Sequence, residues 1–313
     1  MYKKHKFSIV LPHINEWYFL DITLDSIYNK IKYDNFEIII IDDGSDRMSN
    51  LDFIYKHPLK NKIKIYFQKG LWVWGSRNFA RDKVGWEFII FLDAHMYFVN
   101  DFLWKLNNFI NENLDFELGQ PLVWSIQDKN IIWYIYKIKD FSLTSTWSGI
   151  LDNNLKDISY QDKVESPNVA WGAMIIKKEV FEKLDWYNPY VVKWWVDLEL
   201  SMRAWLRWHK SYLLPGLFVA HYFKQKFYNT QINSGDVLYN KILFAYSCFQ
   251  NYNRRKKIFE KLEEYYWKKL FKERHQNVLD NSNFWKWQEE QKKNFKYSDD
   301  WYFDKFKDYY NDF

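Results

Sequence analysis

The stretch Phe36-Glu-Ile-Ile-Ile-Ile-Asp-Asp-Gly-Ser-Asp46 decides the fold of this 313-residue chain. The consecutive β-branched residues Ile38 to Ile41, entered through Phe36 and Glu37, mark a strand buried on both faces, the signature of a parallel sheet covered by helices, and the run stops abruptly in acidic turn formers. Working outward, Phe7 to Pro12 reads as a strand, followed by a turn at His13 to Glu16 and a helix carrying Leu20, Leu24 and Ile27 on one face. Downstream, Ile63 to Phe67 reads as a strand, Arg77 to Lys83 as a helix, and Phe88 to Leu92 as a further apolar strand ending in Asp93-Ala94-His95. In doubly wound sheets ligands bind beyond the carboxyl ends of the strands, so Asp42, Asp43, Asp93 and His95 are expected to share one crevice. The predicted class is α/β: a mostly parallel, Rossmann-like sheet flanked by helices.

Further along, residues 99 to 112 read as a helix, 131 to 138 as strand-like, and the polar stretch 142 to 154 as a surface loop or an acceptor-side insertion. Helices are expected at 178 to 184 and 197 to 208, with a strand around 212 to 214 and His221 shortly after. Beyond about residue 236 the pattern is helical and charged, which divides the chain into residues 1–245 and a helical extension, 246–313. Basic and acidic residues number 45 and 40, a balance of +5 that is too mild and scattered to argue for nucleic acid. No apolar run approaches the roughly 18 to 20 residues of a membrane span. The single Cys248 excludes an internal disulfide framework and a multi-cysteine metal site. With a polar start at Met1 to His5, the expected setting is cytoplasmic, and the basic, aromatic helices after residue 250 allow peripheral contact at the inner membrane face.

Five motifs in fixed order carry a resemblance: Ile9-Val-Leu-Pro-His-Ile-Asn-Glu16, Glu37 to Asp46, Phe91-Leu-Asp-Ala-His95, Asp197-Leu-Glu-Leu-Ser-Met-Arg203 and His221-Tyr-Phe-Lys224. Over residues 7 to 245 the chain resembles GT-A glycosyltransferases of family 2. In Asp-x-His and His-x-Phe it is similar to polypeptide N-acetylgalactosaminyltransferases and their bacterial relatives. The resemblance implies transfer of a hexose or N-acetylhexosamine from a UDP-sugar to a hydroxyl of a glycan, a lipid-linked saccharide or a protein. It implies Asp93, His95 and His221 as ligands of Mn²⁺ or another divalent cation such as Mg²⁺. One carboxylate with two imidazoles suits first-row ions better than Ca²⁺, and such a cation stabilises the charge gathering on a departing diphosphate.

By the same resemblance the donor is bound by Pro12, Asn15, Glu16, Asp42, Asp43, Arg77, Asn78, Asp93, Ala94, Lys224 and Tyr228. Within that set Asp43 accepts the uracil N3 hydrogen, Arg77 lies against the base or Asp43, and Lys224 and Tyr228 meet the phosphates from a closing loop. Asp197 aligns with the general base of inverting relatives, although Val196 stands where they carry Glu. Plainer readings stay open: Asp42 to Ser45 as an ordinary turn, Asp93 as a strand-end cap, His95 as a satisfied core or surface histidine, Tyr222 to Tyr228 as a basic surface loop, and Asp197 as an acid at a helix start. The alternative function is a noncatalytic module that binds nucleotide-sugar or carbohydrate on the same fold.

Composition adds one anomaly, 9 glycines against 18 tryptophans. Leu71-Trp-Val-Trp-Gly-Ser-Arg-Asn78 becomes the family's Leu-Gly-Val-Gly-Gly-Ser-Arg-Asn if both tryptophans are glycine. Trp17, Trp171, Trp186, Trp194, Trp195 and Trp208 fall at comparable positions. The expectation is that the source reads UGA as glycine at these eight sites, with Trp205 a genuine tryptophan.

Overall fold

In the computed structural model the apolar run forms β2 (Phe36–Asp42), buried along its whole length between β1 (Phe7–His13) and β3 (Ile63–Phe67), both parallel to it. Residues 2–46, 52–128, 132–149, 163–170, 172–192, 197–224, 233–310 and 313 are described. The other strands are β4 (Phe88–Leu92), β5 (Met96–Phe98), β6 (Leu118–Ser125), β7 (Ile132–Ile138), β8 (Ser145–Gly149), β9 (Val164–Glu165), β10 (Ala173–Lys177) and β11 (Ser211–His221). The sheet runs β3-β2-β1-β4-β10-β6-β11-β5, with β7 and β8 continuing from β6 and β9 on β11. Strands β3, β2, β1 and β4 are mutually parallel, whereas β10 is antiparallel to both neighbours. The expected α/β, GT-A-like class is therefore met, with a mixed sheet in its second half.

The helices among the described residues are α1 (Trp17–Lys30), α2 (Asp52–Lys56), α3 (Trp72–Phe79), α4 (Phe102–Glu112), α5 (Lys178–Lys183), α6 (Asp197–Leu206), α7 (Ser234–Cys248), α8 (Tyr252–Tyr266), α9 (Lys268–Leu279), α10 (Ser282–Lys293) and α11 (Asp299–Lys305). Leu20, Leu24 and Ile27 of α1 are fully buried in one apolar cluster with Ile38 and Ile40 of β2. Alternate residues of β2, Ile39 and Ile41, face a second cluster on the opposite side of the sheet. The two-sided burial of this strand explains its lack of polar alternation.

Three expectations change. The helix expected at Arg77 to Lys83 starts earlier, at Trp72, because the Asp43 carboxylate accepts the amide N–H groups of Leu71 and Trp72 and satisfies that helix end; past Phe79 only a 3₁₀ turn, Ala80–Asp82, continues. The expected loop at 142 to 154 contains β8, antiparallel to β7, since the exposed ladder of β7 offers backbone partners that Ser, Thr and Trp accept readily. The short strand around 212 to 214 runs on to His221 through a register irregularity between Leu214 and Phe218. That extension is what brings His221 to the end of the sheet.

The expected division after residue 245 falls within α7, and one buried cluster joins Val10 and Met174 of the sheet to Leu243, Phe284 and Tyr302 of the carboxyl-terminal helices. Among the described residues no helix is long and apolar enough to cross a membrane.

Candidate active site

Strand β4 ends at Leu92, and the turn Asp93-Ala94-His95 leads into β5. Because β5 pairs antiparallel with β11, Met96 lies opposite His221, and the Tyr222 N–H donates to the His95 carbonyl at 3.1 Å. The pairing brings the two imidazoles to 4.9 Å between ring centroids. Asp93 Oδ2 lies 3.9 Å from His95 Nε2 and 3.7 Å from His221 Nε2. One ligand atom from each of the three buried residues falls within 4.8 Å of the others. Asp93 Oδ2 is buried without a hydrogen-bond partner, an expensive state that a cation shared with the two nitrogens would relieve. Burial also pushes the His221 imidazole below its ordinary pKa, against the pull of Asp93, favouring the neutral form that metals bind. The residues present therefore fit a divalent first-row cation.

Behind this triad, Glu16 Oε2 lies 2.8 Å from His95 Nδ1, and Glu16 Oε1 pairs with the Lys224 ammonium. Burial opposes ionisation of Glu16, but His95 and Lys224 outweigh it and hold the carboxyl at about 2. On the other side sits Arg77, fully buried, with Nη2 3.5 Å from Asp93 Oδ1 and Nη1 3.8 Å from Asp197 Oδ1. Arg77 Nη1 donates to the Tyr187 hydroxyl at 3.1 Å. Its guanidinium also lies over the rings of Phe91 and Tyr187, at 5.3 and 5.9 Å. This guanidinium links Asp93 to Asp197. The cause is burial, because a charge so far from water is stable only between opposite charges. Asp197 opens α6, and its burial raises its carboxyl to about 7 despite the nearby Arg77. It occupies the helix-start position of the plainer reading.

The remaining predicted residues are placed as follows. Asp42 folds back to accept the Gly44 and Ser45 N–H groups at 3.1 and 2.8 Å, the Asx turn of the plainer reading. Asp43 accepts from Leu71, Trp72 and the Gln68 amide at 2.8, 2.6 and 3.2 Å, so its oxygens serve the start of α3. Asn15, at φ 54°, exchanges hydrogen bonds with Asp46 at 3.0 and 2.9 Å and ties the first motif to the second. Asn78 likewise brackets the Tyr187 main chain, accepting its N–H at 3.0 Å and donating to its carbonyl at 3.1 Å. Pro12 is buried in β1 opposite Ile41, and the Ala94 carbonyl accepts from Thr23 at 2.9 Å. Tyr228, together with Trp171, Trp194, Trp195 and Val196, lies outside the described residues.

Two buried residues near these groups were not singled out by the sequence reading. Tyr187 joins Arg77 beneath the site, and nothing in its neighbourhood of sequence signals that contact. His13 ends β1 with both ring nitrogens buried and unpartnered, and burial lowers it to about 4. Its position between Pro12 and Asn15 was the available signal.

The sequence profile described as Glycosyl transferase family 2 matches residues 8–185, more than half of the chain. A probable N-acetylgalactosaminyltransferase 6 from Caenorhabditis elegans is 29% identical over 203 residues, covering 60% of this chain and 32% of that protein. The chain thus spans about a third of the length of that relative. Among solved structures, GalNAc-T7 with UDP, GalNAc and Mn²⁺ superposes with a TM-score of 0.65 at 22% identity, covering 80% of this chain and 49% of that one. TarS residues 1–349 from S. aureus, in complex with UDP-GlcNAc, gives 0.58 at 18% identity, covering 86% and 72%. At these identities the two structures establish a shared GT-A fold.

Proposed function

Since the chain belongs to Glycosyl transferase family 2, we propose that it moves a hexose or N-acetylhexosamine from a UDP-sugar to a hydroxyl acceptor with the help of a divalent cation, Mn²⁺ or Mg²⁺. The observation that carries this reading is the convergence of Asp93, His95 and His221 on the unpartnered Asp93 Oδ2 at the carboxyl end of the sheet. A cation held there supplies positive charge opposite the departing diphosphate. The similarity to proteins named for N-acetylgalactosamine transfer, and to structures holding UDP and UDP-GlcNAc, supports the donor class.

In this mechanism Asp197 Oδ1, buried and without a hydrogen-bond partner, takes the proton of the acceptor hydroxyl as its oxygen attacks the sugar. Arg77 holds Asp93 and Asp197 on either side of one guanidinium and fixes the spacing between donor and acceptor ends. Asn15 ties the β1 and β2 loops together, Asp43 ties β2 to α3, Asn78 ties α3 to the chain at Tyr187, and Lys224 stands beside Glu16. The acceptor is a glycan, a lipid-linked saccharide or a protein hydroxyl, in a cytoplasmic setting that includes peripheral contact at the inner membrane face. The test is UDP release from a panel of UDP-sugars with Mn²⁺ or EDTA, using wild type and Asp93→Ala. Metal-dependent release lost in the variant supports the transferase. Binding of UDP-sugar without release by either protein overturns it in favour of a noncatalytic binding module.

We also propose that part of the tryptophan complement is glycine in the polypeptide made by the source. Among the described residues seven non-glycine positions have positive φ, and four of them are Trp72, Trp186, Trp208 and Trp267. An indole has no preference for that region, whereas glycine enters it freely. Trp208 follows α6 in a turn whose next amide, His209 N–H, reaches back to the Ala204 carbonyl at 2.8 Å, the arrangement in which glycine predominates. Trp17 and Trp74 have helical backbones and gain no support from this argument, while Trp267 joins the set. Trp205 has the marks of a genuine tryptophan: it is fully buried, and its indole N–H donates to the Ser166 carbonyl and Ser211 Oγ at 3.0 and 2.9 Å. Peptide mass spectrometry of protein purified from the source tests the proposal, and tryptophan found at 72, 208 and 267 overturns it.

A further inference from the structure

Glu16 occupies the N-cap position of α1, yet its side chain makes no cap hydrogen bond. Glutamate is a poor cap, and here the carboxylate is used elsewhere: it crosses to His95 and Lys224. The two histidines of the triad differ in this respect. His221 Nδ1 is buried with no hydrogen-bond partner, and its ring is held by packing against Phe223 at 4.1 Å and His95 at 4.9 Å. His95 Nδ1 faces an anionic oxygen at 2.8 Å, which requires the proton to reside on Nδ1 and leaves the Nε2 lone pair pointing toward Asp93 Oδ2.

We propose that Glu16 is a positioning residue for the cation site, fixing the His95 tautomer and ring orientation, and that Lys224 anchors Glu16 for this task from the chain beyond β11. The inference rests on reading Asp93, His95 and His221 as cation ligands. It reassigns Glu16 from a donor contact to a group acting through His95. An acceptor behind a ligating imidazole locks its orientation and raises its basicity, and removing such partners typically weakens metal binding about 10- to 100-fold. Lys224, largely buried and adjacent to the Phe19 ring at 5.8 Å, closes the outer side of the carboxylate and leaves Oε2 for His95.

The experiment measures Mn²⁺ affinity of the full chain, without any nucleotide, from the signal of free Mn²⁺ in electron paramagnetic resonance. It compares wild type, Glu16→Ala, Glu16→Gln and Asp93→Ala. In parallel, ¹⁵N resonances of the metal-free protein report the His95 tautomer. Asp93→Ala should abolish binding, Glu16→Ala should weaken it about 10- to 100-fold, and Glu16→Gln should fall between, since an amide oxygen still accepts from Nδ1–H but carries no charge for Lys224. Wild-type His95 should carry its proton on Nδ1, and Glu16→Ala should shift it toward Nε2. If Glu16→Ala binds Mn²⁺ like wild type while Asp93→Ala does not, the inference is overturned and the cation site stands. Equal weak binding by wild type and Asp93→Ala overturns both. Should Glu16→Ala fail to fold, the wild-type tautomer decides, and a proton on Nε2 refutes the assignment.

Discussion

Replacing Trp267 and Trp208 separately by glycine and by alanine tests the backbone argument at its most exposed points. Trp267, between α8 and α9, has φ 68° and ψ 132°, and its side chain is 82% exposed; Trp208 has φ 71° and is 45% exposed. Both substitutions remove the same indole contacts, so the difference between the glycine and alanine variants isolates the backbone. An L-residue held at positive φ costs roughly 1–2 kcal/mol that glycine avoids, so glycine should be the more stable variant by about that amount at both positions. Trp104, 54% exposed within α4, is the control: in an ordinary helix alanine should exceed glycine by about 0.5–1 kcal/mol. Urea denaturation followed by far-ultraviolet circular dichroism resolves such differences, and in a chain of this size they correspond to about 1–3 °C in melting temperature. Alanine matching or exceeding glycine at both 208 and 267 would refute the reasoning.

Other expectations follow from the same geometry. Asp93→Ala should lower metal-dependent UDP release at least about 100-fold while near-ultraviolet circular dichroism stays native, and retention of wild-type turnover would remove Asp93 from the site. In EDTA, Asp197 should make stability fall with rising pH. Its folded value of about 7 lies above the unfolded 3.8, so its contribution is fully present below the unfolded value and is lost as pH rises through about 7. The span amounts to roughly 4 kcal/mol as an upper figure, and Asp197→Asn should flatten denaturation midpoints between about pH 4 and 8. An unchanged slope in Asp197→Asn would place the buried charge elsewhere. Trp205→Phe keeps most of the buried apolar volume but removes the indole donor to the Ser166 carbonyl, which retains Ser211 Oγ, and should cost about 0.5–1.5 kcal/mol in chemical denaturation. A negligible loss would show that Ser211 alone satisfies that carbonyl.

The sequence by itself determined the strands β1 to β4 and the acidic turns that follow β2 and β4. The short length and four consecutive isoleucines of Phe36 to Ile41 favour a strand covered on both faces, and an acidic turn directly after it falls at the carboxyl edge where ligands bind in such sheets. Motif order and the family resemblance singled out Asp93, His95 and His221, and the profile match over residues 8–185 shows the family itself. The tertiary structure decided which partner each charge has. His221 reaches His95 only because β11 pairs with β5 in one register, Arg77 lies between Asp93 and Asp197 because burial demands balanced charge, and Glu16 turns from its helix end to His95. Periodicity records which face of an element is buried, whereas register and crossing strands set what meets across the interior. Left-handed backbone at Trp72, Trp186, Trp208 and Trp267 likewise belongs to the folded chain, because a backbone angle is fixed by the closure of turns around it and leaves no apolar period to read.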